Sequence, residues 1–212
     1  MTAQSIEDRL REEYGIRLPA ITFVCFELET RVRHCLLPII RTLKAHEKID
    51  ISARVKECES AISSLRKRQQ GAQFDRGRLA PYTLTGLKDL AGVRVGVFPR
   101  TRVQEVDWAL KEEFGDWEAK HVPGIQPGNS LPLALKYHGR CVSDAEVFGE
   151  YQVLPLMTKL YWGVQHAAVY KGDARIAERM KDHEAAVLEA MRQFEEEFER
   201  LLLEEQTLHG PK

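Results

Sequence analysis

The sequence predicts an α+β protein, a mixed sheet of about five strands flanked by helices, with helical N- and C-terminal extensions. Three observations lead there. Two strand-then-helix units follow one another between residues 50 and 115, two further strand-like runs follow a Pro- and Gly-rich stretch, and helical periodicity fills both ends of the chain.

From Ile21 to Leu43, "ITFVCFELETRVRHCLLPIIRTL" sets Phe23, Phe26, Leu28, Val32, Cys35, Leu36, Ile39, Ile40 and Leu43 at helical spacing, with a kink or break expected at Pro38. "IDISARVK" alternates as a short strand, and "ECESAISSLRKRQQ" reads as a helix with Ala61, Ile62 and Leu65 inward. "RGRLAPYTLTG" supplies a loop. "LKDLAGVRVGVF" is then a strand and "TRVQEVDWALKEEFG" a helix, with Thr101 as N-cap and Gly115 as stop. "WEAKHVPGIQPGNSL" reads as a strand end plus a mobile loop. "LALKYHGRCVS" and "EVFGEYQVL" are two more strands, and "PLMTKLYWGVQHAAVY" opens a helix with Pro155 in its first turn. The last segment puts Ile176, Met180, Val187, Met191, Phe194, Phe198 and Leu201 on one stripe of a long helix, whose length points to packing on a neighbour or a partner chain. The expected division is an N-terminal helical extension over 1–48, a core over 49–172 and a C-terminal helix over 173–212.

Composition narrows the function. Thirty-one Lys and Arg against 32 Asp and Glu leave no global cationic field for unspecific nucleic-acid binding, so any anion site must be local. Four cysteines, Cys25, Cys35, Cys58 and Cys141, form neither a CxxC pair nor a secreted disulfide framework, which fits a reducing cytoplasm. The polar, acidic start "MTAQSIEDRLREEYG" does not read as a signal peptide, and no apolar run reaches spanning length, so no membrane role is expected.

Four groups of residues can carry chemistry. Arg54 and Lys56, two apart on a strand, share a face, and Ser60, Arg66, Lys67 and Arg68 lie on the helix that follows. Cations at a strand-helix junction suit a polyphosphate, whereas Arg66 and Arg68 alone read as a solvated helix end. Asp89 and Arg94 lie five apart, which on a regular strand sends them to opposite faces unless "AG" bends the chain. Glu150 and Gln152 share a strand face, and Asp89 with Glu150 makes a plausible pair for Mg²⁺ and a base. Trp162, His166 and Tyr170 follow one another at helical spacing, although a lone His on such a face is more often structural than catalytic.

Taken in order, "SARVKECESAISSLRKR", "LKDLAGVRV" and "GEYQVLPLMTKLYWGVQHAAVYK" resemble the synthetase domain of the RelA/SpoT family of alarmone synthetases, over residues 50–172. The resemblance implies a nucleotidyltransferase-like core and transfer of the β,γ-pyrophosphate of ATP to the 3′-hydroxyl of a guanine nucleotide. It implies that Arg54 and Arg94 sandwich the donor adenine, that Lys56, Ser60 and Lys67 hold its phosphates, and that Asp89 binds Mg²⁺. Glu150 is then base or second metal ligand, with Tyr137, Gln152 and His166 on the acceptor side. The acceptor half departs from the pattern. Where the family has a loop resembling "GYrSlH", this chain has "KYHGRC", which keeps Tyr137 but puts Gly139 and Cys141 at the serine and histidine; Ser64, Leu154 and Gln165 also replace charged family residues.

Three readings follow. The first is a small synthetase making (p)ppGpp or an adenosine analogue. The second is a toxin of a toxin-antitoxin pair that pyrophosphorylates the CCA end of tRNA, an acceptor that needs no 5′-polyphosphate anchor, with "RKRQQGAQFDRGR" as a local basic patch. The third is a catalytically inactive nucleotide-binding regulator, against which the retention of both Asp89 and Glu150 weighs. No hydrolase motif precedes the core, so a single activity is expected, and the terminal helices are expected to mediate homo-oligomerisation or to dock an antitoxin.

Overall fold

The run "AGVRVGVF" carries valines on alternate positions and glycine, arginine, glycine between them, and the sheet is organised around that alternation. The structure, a computed structural model, describes residues 6–71, 83–123, 132–171 and 174–209. A five-stranded mixed sheet runs in the order β1 (Lys48–Val55), β2 (Ala91–Phe98), β5 (Asp144–Pro155), β4 (Leu135–Cys141) and β3 (Glu118–Ala119). β2 and β5 are parallel and the other neighbours antiparallel. Helices α1 (Ile6–Ile40), α2 (Cys58–Gly71), α3 (Val103–Glu113), α4 (Leu156–Lys171) and α5 (Ala174–His209) surround it.

One face of the sheet is the core. Ala91, Val93, Val95 and Val97 of β2 are at most 1% exposed and cluster with Val24, Leu28, Val32 and Leu36 of α1 and with Val106 and Leu110 of α3. The long first helix is therefore built into the core, running through Pro19 and Pro38 and ending two residues beyond the latter. On this face Tyr151 stacks on Tyr137 with centroids 4.7 Å apart and meets Phe114 at 5.1 Å and Trp117 at 5.6 Å. Burial raises the Cys141 thiol to about 12, which keeps it a neutral core residue at physiological pH.

The other face of β2 is open at its glycines. A Cβ on Gly92 would lie 3.7 Å from Arg54 Cγ, and one on Gly96 would lie 2.7 Å from Lys159 Cδ of α4. Both glycines thus make room for cationic side chains crossing the strand. Lys159, buried, donates from Nζ to Asp50 Oδ2 at 2.6 Å and to the Asp50 carbonyl at 2.8 Å, fixing α4 across β1 and β2.

Several local expectations change. Thr101 does not cap α3: it sits in a 3₁₀ turn, Arg100–Arg102, and the backbone N–H groups of Arg100 and Thr101 donate to Glu199 Oε1 of α5. A distant carboxylate thus does what a local hydroxyl was expected to do. Pro155 ends β5 rather than starting α4. The apolar stripe of α5 is only partly inward, since Val187 and Met191 are half-buried while Phe194, Phe198 and Leu201 are 56%, 37% and 50% exposed. The basic stretch through Arg78 lies outside the described residues from position 72, as do positions 124–131 of the expected mobile loop. Among the described residues no helix is long and apolar enough to cross a membrane.

Glu195 of α5 is 1% exposed and accepts from the Met157 N–H at the start of α4. Burial, opposed by that N–H and by Arg100, raises its carboxyl to about 7, with Glu199 and Glu196 adding to the rise. A folded-state pKa above the unfolded value means that the folded protein holds the extra proton, so stability falls as pH rises from about 4.5 to about 7. Glu195→Gln, which keeps the acceptor and removes the charge, is expected to stabilise the protein by roughly 2–3 kcal/mol at pH 8 and hardly at all at pH 4. Denaturant titrations of both proteins at the two pH values check this; an equal gap at both would remove the charge as its cause.

Candidate active site

The strand-helix junction after β1 supplies the first cations. Arg54 is the register partner of Gly92 and lies over it, and Lys56, directly after the strand, donates its N–H to the Leu90 carbonyl at 2.8 Å. That bond brings Lys56 beside Asp89, and its buried Nζ donates to Asp89 Oδ2 at 2.5 Å. Ser60, in the first turn of α2, is also buried. Lys67, seven residues further and so on the same helix face, is exposed.

Asp89 precedes β2 rather than belonging to it, so the opposite-face problem of a five-residue spacing does not arise. Arg94 points to the open face inside the strand while Asp89 reaches that face from the turn before it. Asp89 Oδ1 is buried and has no hydrogen-bond partner among the described residues.

β5 and β4 bring the remaining groups through their register. Glu150 pairs with Gly92 and Gln152 with Arg94 on one side, and on the other His138 pairs with Glu150 and Lys136 with Gln152. Arg94 Nε donates to Gln152 Oε1 at 3.2 Å, and Gln152 Nε2 donates to Glu150 Oε1. Gln152, 3% exposed, is thus a strut between Arg94 and Glu150. Burial first, and the Arg54 charge second, lower the Arg94 guanidinium, with Glu150 opposing. Burial lowers Lys136 as well, with Glu150 opposing and then Arg94 and Arg54 adding to the fall.

A cavity of about 570 Å³ holds Asp89 and Glu150 together with Lys120, His121, Lys136 and His138. A second, of about 440 Å³, shares Lys136 and adds Arg94, Trp162, Gln165, His166 and, from α5, Glu184. Lys136 Nζ lies 5.8 Å from the Trp162 ring centroid. Burial and the charges of Arg54 and Arg94 depress the His166 imidazole, so it faces this cavity mainly as a neutral group.

Tyr137 is not among these groups. It is 3% exposed on the core face, donates its hydroxyl to Asp107 Oδ1 at 2.7 Å and stacks on Tyr151. The reason is parity: "KYHGRC" is strand, as its alternation predicted, and its register with β5 turns Lys136 and His138 outward and Tyr137 inward. Gly139 likewise faces the core, under the Trp117 indole. Lys136 and His138 were missed because the aromatic ring was chosen first, although strand alternation alone puts the residues beside it on the opposite face.

The donor set fits a hard cation bound together with a substrate. Among the described residues no cluster of three or more metal-ligating side chains forms a cage of its own. Mg²⁺ needs only one or two carboxylates when phosphate oxygens complete its shell, and the unpartnered Asp89 Oδ1 with Glu150 in one cavity offers that.

No family model matches the chain, and no curated protein matches it in sequence. Solved structures do share its fold. The small alarmone synthetase 1 from Bacillus subtilis bound to AMPCPP superposes with a TM-score of 0.61 at 16% identity, covering 92% of this chain and 98% of that one. The same protein bound to its product pppGpp gives 0.62 at 19% identity, over 91% and 98%. A GTP pyrophosphokinase family protein from Streptococcus pneumoniae gives 0.60 at 20%, over 94% and 98%. The chain therefore has the small alarmone synthetase fold across nearly its whole length, terminal helices included.

Proposed function

We propose that this protein is an ATP-dependent nucleotide 3′-pyrophosphokinase, acting on GTP or GDP to make (p)ppGpp or on an adenine nucleotide to make the analogue. The observation that carries the reading is the meeting of Asp89 and Glu150 in one cavity beside Arg54, Lys56 and Arg94. Fold likeness to a synthetase seen with AMPCPP and with pppGpp supports it.

In the reaction the acceptor 3′-oxygen attacks the β-phosphorus of ATP, the α,β-bridging P–O bond breaks, AMP leaves and the hydroxyl proton passes to the Glu150 carboxylate. Arg54 and Arg94 hold the donor base between guanidinium planes, and Lys56, Ser60 and Lys67 hold its phosphates. Asp89 and Glu150 would hold Mg²⁺, which when bound neutralises charge on the phosphate oxygens. On the acceptor side the groups available are Lys136, Gln165 and His166 with Trp162 as the flat surface, in place of Tyr137. The exposed Phe23 and Phe26 of α1 and Phe194 and Leu201 of α5 support self-association through the terminal helices, as part of the same reading.

The test is ATP labelled in its β- and γ-phosphates, with Mg²⁺, offered GTP, GDP, an adenine nucleotide and tRNA in parallel. Labelled nucleotide and stoichiometric AMP are expected. Product with tRNA alone would replace this reading by the toxin, and tight nucleotide binding with no product from any acceptor would replace it by the regulator.

A further inference from the structure

His138 has no role in the reaction as drawn above, yet it is 8% exposed and opposite Glu150 in the β4–β5 register. Its Nδ1 lies 3.1 Å from the Lys88 carbonyl oxygen and 3.5 Å from Glu150 Oε2. A carbonyl oxygen only accepts, so Nδ1 carries a hydrogen, and that N–H sits between the backbone directly before Asp89 and the carboxylate of Glu150. The other oxygen of Glu150, Oε1, is already held by Gln152 Nε2, which Arg94 orients in turn.

From this geometry we infer that His138 is a positioning residue, whose Nδ1–H ties Glu150 to the Lys88–Asp89 backbone and so sets the relative placement of the two acids. The inference rests on the reading of those acids as the reaction's metal and proton groups. With His138 in place one oxygen of Glu150 accepts from the Gln152 amide and the other lies 3.5 Å from the imidazole Nδ1, so the carboxylate has a polar neighbour at each oxygen. Without it the carboxylate keeps the Gln152 amide at one oxygen. Displacement of a reacting group by an ångström, or loss of an orienting partner, lowers rates by about 10- to 100-fold. The donor's cationic contacts, on β1, α2 and β2, do not pass through this bridge.

The experiment compares His138→Ala, His138→Asn and His138→Gln. The Asn amide places an N–H near the position of Nδ1, whereas Gln reaches toward that of Nε2. Expected are a fall in kcat of about 10- to 100-fold for Ala and Gln, an Asn variant within a few-fold of wild type, and unchanged AMPCPP affinity without Mg²⁺ in all three. A rise in KM for ATP with kcat intact, or rescue by Gln and not Asn, overturns the assignment. The bridge is also read without turnover, in the imidazole ¹⁵N spectrum of the resting protein. A hydrogen-bonded Nδ1–H resonance of His138 that shifts in Glu150→Gln supports it, and an Nε2–H tautomer overturns it. Should the wild type transfer nothing to any acceptor while that resonance is present, the enzymatic reading fails and the bridge stands.

Discussion

Glu150→Gln is expected to lower the rate of pyrophosphoryl transfer about 10³-fold, the scale on which a positioned general base acts. The carboxylate is buried, receives Gln152 Nε2–H at one oxygen and faces His138 Nδ1 at the other, and in the proposed reaction it takes the proton of the acceptor hydroxyl. An amide in its place cannot take that proton. Nor can it satisfy both neighbours, because it has one oxygen for two donors and must turn an NH₂ toward one of them. Some local rearrangement follows, and thermal melts separate it from loss of chemistry. AMPCPP affinity in the absence of Mg²⁺ should stay within about twofold of wild type, since the donor's cations are untouched. Initial rates with labelled ATP make the comparison; unchanged turnover would strip Glu150 of its role.

The second large effect is on stability. Gly139→Ala is expected to destabilise the fold by about 3 kcal/mol, because a Cβ there would lie 2.4 Å from Cδ1, Cδ2 and Cε2 of Trp117. The indole cannot step aside. It is 8% exposed and packed against Phe114 at a centroid distance of 4.9 Å, with Tyr151 beyond. A loss of that size in a chain of this length lowers the melting temperature by about 10 °C. Melting within a degree or two of wild type would mean that Trp117 does not lie on Gly139.

These two residues also show what the sequence made legible and what it did not. Glu150, Asp89, Arg54, Lys56 and Arg94 were readable because each is a charged residue inside or beside an apolar strand, where a charge needs a reason. The order of strands and helices was readable for the same cause: periodicity changes from two to three and a half where the chain passes from sheet to helix. The segment holding Tyr137 and Gly139 reads as a strand, but the motif match that put Tyr137 on the acceptor side carries no face. Their true side is fixed by β4 pairing with β5, a contact between strands that neither segment encodes alone. The same limit hid the Glu199 cap on the turn before α3 and the place of Glu184 in the wall of the cavity that Arg94 also lines, both of which depend on where α5 folds back.

The proposed reading puts Asp89 and Glu150 on one Mg²⁺, bound with an ATP whose phosphates Lys56, Ser60 and Lys67 hold and whose base lies between Arg54 and Arg94. Calorimetric titration with AMPCPP, with and without Mg²⁺, in the wild type and in Asp89→Asn, tests it most directly. The account predicts that Mg²⁺ tightens AMPCPP binding about tenfold in the wild type and that Asp89→Asn removes most of that gain. Equal affinity with and without Mg²⁺ in the wild type, or a metal dependence that survives Asp89→Asn unchanged, would contradict it.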